Sequence, residues 1–148
     1  MDYTVVYKDI NGAISVSVKD GNTKVSPHFT VSEFAVNQKD GTDIAFICEY
    51  TVRVLEGLRT LIGHPVQITS AGRTPFYNKR VGGADGSMHR FMFGVVDFIL
   101  DYDISLQDKQ RVIDYFINMG FKGIGVYNRS LGVRMHVDFG YRDKLTMW

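Results

Sequence analysis

The stretch "FGVVDFIL", residues 93–100, decides the architecture. Val95 and Val96 on one side and Phe98 to Leu100 on the other make an apolar run of strand length, which predicts a strand inside a sheet. Asp97 stands in its middle. An isolated carboxylate in such a run costs several kcal/mol to bury unless it is paired or ligated. Asp97 therefore calls for a partner from elsewhere in the chain.

Downstream, "SLQDKQRVIDYFINMG" (residues 105–120) has helical period, with Ser105 as its N-cap and Gly120 at its end. "GIGVY" (123–127) and "GVRMHVDFG" (132–140) read as strands around the turn "NRSLG". Upstream, "PVQITSAG" (65–72) is a short strand leading into a polar loop from Arg73 to Arg90. From Asp43, "IAFICEYTVRVLEGLRTLI" sets Phe46, Tyr50, Val54, Leu58 and Leu61 on one helical face, with Ile47, Leu55 and Ile62 beside them. This predicts one long amphipathic helix, ended by Gly63 with Pro65 just beyond. "SPHFTVSEFAV" starts a short helix at Thr30 or Ser32, where Glu33 follows Thr30 by three residues as in a capping box. At the N-terminus, "YTVVY" and "AISVSV" flank Asn11-Gly12, which predicts a β-hairpin of residues 2–8 and 14–19. The expected fold is α+β: a single domain over residues 26–148, with helices on one face of a mostly antiparallel sheet, extended by the hairpin over 1–25.

A chain of 148 residues, 45% apolar and 22% charged, fits one soluble globular domain. The net charge is +1 and the 17 basic residues are scattered, which excludes a nucleic-acid footprint from the expectations. No apolar segment is long enough to span a bilayer. The first twenty residues lack the basic start and apolar core of a secretory signal, so synthesis in the cytoplasm is expected. Cys48, the sole cysteine, rules out an internal disulfide and reads as a small buried apolar residue.

Four histidines bear on the partner of Asp97. His28 and His64 have no acidic or histidine neighbour at ligand spacing and are expected to be structural or surface residues. His89 and His136 each sit near an aspartate, in "SMHRFMFGVVD" and "MHVD". Two histidines and one carboxylate, with a position left for water, make a catalytic zinc set. On a strand, His136 and Asp138 point to the same face, about 6–7 Å apart.

"ITSAGRTPFYNKRVGGADGSMH" (68–89), together with "GVVDF", "GIGVY" and "MHVDFG", resembles the zinc D-alanyl-D-alanine carboxypeptidase family. Its wider relatives include VanX-type dipeptidases, phage L-alanyl-D-glutamate endopeptidases and the hedgehog signalling domain. "SPHFTVSEFA" is similar to the family's usual opening, so the resemblance covers roughly residues 26–140 with its blocks in order. It implies the hedgehog and carboxypeptidase fold. His89, Asp97 and His136 match the zinc ligands, and Arg73 matches the arginine that holds a substrate carboxylate, a task suited to a planar bidentate donor. Ser87 matches the serine two residues before the first histidine, on the substrate side, although a loop-capping role like that of Ser70 and Asn78 is the blander reading. Asp138 matches the last aspartate of H-x-D, where it could orient a ligand or take and pass on the water proton.

Two departures accompany the resemblance. The step from His89 to Asp97 is eight residues, one more than the family's seven. If the extra residue lies in the loop, Asp97 faces the metal; if it lies within the strand, Val96 does. The register of "VVDFIL" favours the loop. Relatives often carry a general base three residues before the last histidine, and here that position is Val133, with Arg134 following. The implied activity is zinc-assisted hydrolysis of peptidoglycan stem peptides by a monomer, as a carboxypeptidase or an endolysin-type endopeptidase. Without a signal, a phage lysin released by other means fits that description. The alternative is a non-catalytic module that keeps the fold and binds the cell wall or a partner.

Overall fold

In the computed structural model, which describes residues 5–8, 13–17, 21–35, 44–72, 94–138 and 144–148, the run around Asp97 is an inner strand of a five-stranded sheet. Its strands are β6 (Gln67–Ser70), β7 (Val96–Leu100), β8 (Gly123–Asn128), β9 (Val133–Asp138) and β10 (Thr146–Met147). They lie in the order β10-β8-β9-β7-β6. All pairs are antiparallel except β10 with β8, which is parallel. Alternation along β7 explains how one strand serves two purposes. Val96, Phe98 and Leu100 are fully buried in the core, while Asp97 and Ile99 point to the opposite face.

Three helices accompany the sheet among the described residues: α1 (Val31–Ala35), α2 (Glu49–Ile62) and α3 (Leu106–Asn118). Leu55 and Leu58 of α2 and Val112 and Phe116 of α3 join Val96, Phe98, Met135 and Val137 in one apolar cluster. The ring of Phe116 lies 5.6 Å from that of Phe98 and 5.2 Å from that of Phe121. Full burial of each such side chain stabilises the fold by roughly 1.5–3 kcal/mol. Helix limits follow the local signals. Ser105 Oγ accepts the Asp108 N–H at 3.0 Å at the start of α3. Gly63, with φ of 69°, ends α2 and donates its N–H to the Arg59 carbonyl. The Thr30 N–H donates to Glu33 Oε2 at 2.7 Å, the return half of the expected capping box.

The long helix expected from Asp43 is shorter than its apolar pattern. Ile44–Cys48 form a strand, β5, and the helix begins only at Glu49. β5 pairs antiparallel with β2 (Ala13–Ser17), which pairs with β1 (Val5–Lys8), so the N-terminal hairpin shares a three-stranded sheet with the strand entering α2. Short apolar runs fit either period, and here pairing with the hairpin settled the choice. The buried face of α2 shifts accordingly: Thr51 and Val52 are buried, whereas Tyr50 is exposed and donates its hydroxyl to the Met119 carbonyl at 2.6 Å. Cys48, at the N-cap position, is half-buried rather than fully buried. The β8–β9 turn demands glycine at 132. Its φ is +74°, and a Cβ there would lie 1.8 Å from the Leu100 carbonyl oxygen.

A small pair, β3 (Lys24–Ser26) and β4 (Phe29–Thr30), is tied to α2 through Glu56. Its carboxylate accepts the Ser26 hydroxyl at 2.6 Å and the His28 N–H at 2.7 Å, and meets His28 Nδ1 at 2.8 Å. His28 is thus a structural residue. Burial alone would raise the Glu56 pKa, but these bonds and the charge of His28 together hold it below the usual carboxylate value. Glu56→Ala is expected to cost roughly 2 kcal/mol in urea unfolding at neutral pH. Since the folded-state pKa is depressed, the stabilisation is present above the unfolded value of 4.5 and lost as pH falls through the folded one. The gap between parent and variant should therefore close in acid; a gap that persists there would place the cost in packing. His64 lies flat on Tyr102, with ring centroids 3.7 Å apart.

Candidate functional site

On the sheet face away from the helices, β7 and β9 bring three of the candidate residues together. Asp97 is the direct cross-strand partner of His136, and Asp138 follows His136 by two on the same face of β9. His136 Nδ1 lies 2.9 Å from Asp97 Oδ1, and His136 Nε2 lies 2.6 Å from Asp138 Oδ2. Asp97 is therefore the residue of this strand that faces the histidine. Val96, the other possibility, is buried in the core.

The three side chains differ in solvent access. Asp97 is 19% exposed and His136 14%, whereas Asp138 is wholly buried. Burial disfavours a charge on His136, but its hydrogen bonds to Asp138 and Asp97 and the attraction of both carboxylates outweigh it and push the pKa up to about 9. In the metal-free chain, then, an imidazolium donates one N–H to each carboxylate. This balance makes the burial of two aspartates tolerable.

Arg73, Ser87 and His89 lie outside the described residues. Among the described residues, no group of three or more His, Cys, Asp or Glu side chains is arranged to hold a metal ion. None of their helices is long and apolar enough to cross a membrane. Val133, at the position where relatives often carry a base, is buried in the core, and Arg134 is exposed with its guanidinium 4.5 Å over the Tyr127 ring.

One neighbour of the cluster did not emerge from the sequence. Trp148 packs against His136, with ring centroids 5.3 Å apart and planes tilted by 42°. The available signal was "GIGVY": Gly123 and Gly125 sit across from Asp138 and His136, leaving room on that face for a large ring.

A family model described as Peptidase M15 matches residues 27–138. No curated protein matches the chain. The match runs from just before β4 to the last residue of β9, so it takes in Asp97, His136 and Asp138 and the residues between β6 and β7. By that span, the chain belongs to the peptidase M15 family.

Proposed function

We propose that the chain is a zinc-dependent peptidase that hydrolyses peptide bonds in bacterial peptidoglycan stem peptides, with His89, Asp97 and His136 holding the metal. The observation that carries this reading is the approach of His136 Nδ1 to Asp97 Oδ1 at 2.9 Å. Two corners of a tetrahedral zinc site with ligands at ~2.0–2.2 Å are about 3.3–3.6 Å apart. A slight opening of the pair, with loss of the shared proton, gives two donors the spacing that the ion needs. The other ring nitrogen supports the same reading. Its N–H points at Asp138, and a carboxylate behind a zinc-bound histidine fixes the tautomer and turns the ligand toward the metal.

When bound, zinc supplies an acidified water, with a pKa near ~7, and polarises the scissile carbonyl. The chain's own residues supply the rest. Asp138 is fully buried and bonded to Nε2, which supports a part for it in orienting His136. Arg73 is assigned the substrate carboxylate, which converts binding into orientation, and Ser87 is assigned to substrate binding with it.

The test is release of new amine groups from purified muropeptides. Activity should vanish with a chelator and return with zinc. Cleavage indifferent to the chelator removes zinc from the account. Muropeptide retained without turnover in added zinc would turn the reading to a binding module that keeps the fold.

A further inference from the structure

Trp148 reaches the cluster from β10, the strand that pairs parallel with β8. Its N–H donates to the Ile124 carbonyl at 3.1 Å and its carbonyl accepts the Val126 N–H at 2.8 Å, so both backbone groups are held by β8. The indole lies over Gly125, where a Cβ would fall 2.6 Å from Nε1 and 2.8 Å from Cε2. Gly125 is the cross-strand partner of His136. The space beside His136 that a side chain at 125 would take is thus filled by the indole. Nε1–H donates to the Tyr127 hydroxyl, and the Arg134 guanidinium covers the Tyr127 ring. Tyr127 and Arg134 are themselves cross-strand partners, so Arg134, Tyr127 and Trp148 form a row along one face that ends at His136.

We propose that Trp148 is a substrate-positioning wall of this site. Part of the indole abuts the His136 ring, and the exposed side of Trp148, a residue 45% exposed as a whole, is the surface on which a bound peptide packs its alkyl side chains. The proposal rests on the function proposed above. An indole is a rigid, amphipathic surface with few torsions to freeze, so it gives contact area at low entropic cost. Its polar edge needs an acceptor, and Tyr127 provides one without turning the ring away from His136. Arg134, stacked on Tyr127, stiffens that support. It also places a positive charge at the far end of the wall, suited to a peptide carboxylate.

Trp148 is the only tryptophan in the chain, so its emission reports this one place. Cobalt(II), a paramagnetic quencher, should bind in zinc's stead to the metal-free protein and quench most of the emission. Cobalt seen bound by its visible absorption, with emission unchanged, overturns the wall and leaves the proposed function standing. If cobalt does not bind, a disaccharide–pentapeptide muropeptide decides. Retention with a shift of emission in the parent, lost in Gly125→Ala, supports the wall although the metal reading fails; retention without a shift overturns it. If neither probe binds, both proposals fall together. In turnover, Trp148→Ala should raise KM about tenfold while changing kcat little, because the lost contact serves ground and transition state alike. Tyr127→Phe removes only the hydroxyl and should shift KM in the same direction by less. A loss confined to kcat in both variants is incompatible with a packing surface.

Discussion

Asp97→Asn is expected to abolish stoichiometric zinc binding while the chain stays folded. The amide keeps the shape of the side chain and its place opposite His136, but it surrenders the charge that a zinc donor supplies. Removing a hydrogen-bond partner of a ligand typically costs ~10–100-fold in metal affinity, and removing the ligand's own charge should cost more. Asp138→Asn belongs to the milder class, because Asp138 touches His136 at Nε2, the nitrogen turned away from Asp97. The two variants should therefore rank in a chelator-competition titration, with circular dichroism like the parent's in both. Zinc bound by Asp97→Asn as tightly as by the parent would dismiss the ligand set.

The second large effect concerns pH in the metal-free chain. His136 has its folded-state pKa raised from 6.5 to about 9. The stabilisation from its charge is fully present below the unfolded value and is lost as pH rises through the folded one. At ~1.4 kcal/mol per unit, stability should fall by on the order of 3 kcal/mol between near-neutral and alkaline pH. Urea unfolding in a chelator checks this, and His136→Gln should flatten the curve over that window. A parent that gains stability with rising pH contradicts the imidazolium bridge. The same proton competes with the metal, so zinc affinity should climb toward about pH 9, with proton release on binding.

What could be read from the sequence divides by how local the cause is. Ser105, Gly63 and the Thr30–Glu33 pair act within a turn of their own helices, and α1, α2 and α3 end or begin where those residues said. The apolar run around Asp97 is equally local and marked an inner strand, as β7 is. Ile44–Cys48 was misread because its strand character comes from β2, some thirty residues earlier, rather than from its own pattern. At the site, the proximity of His136 and Asp138 followed from the two-residue repeat of a strand. That Asp97 lies directly opposite His136 is a matter of register between strands joined by a long excursion, which spacing alone does not determine. Trp148 was invisible for a related reason. Its place depends on a two-residue parallel strand that carries no periodic signal of its own.

That short strand has a further consequence, for solubility. β8 would be an outer strand without it, since β9 occupies only one of its sides. The Lys122 and Ile124 carbonyls and the Val126 N–H, now bonded to Thr146 and Trp148, would become a row of unpaired groups beside a buried apolar strand, a template for joining another chain edge to edge. β10 blunts that edge, being itself only two residues long and bearing exposed side chains. Clipping the chain before Thr146 should therefore first be noticed as concentration-dependent precipitation, well before any catalytic measurement is made.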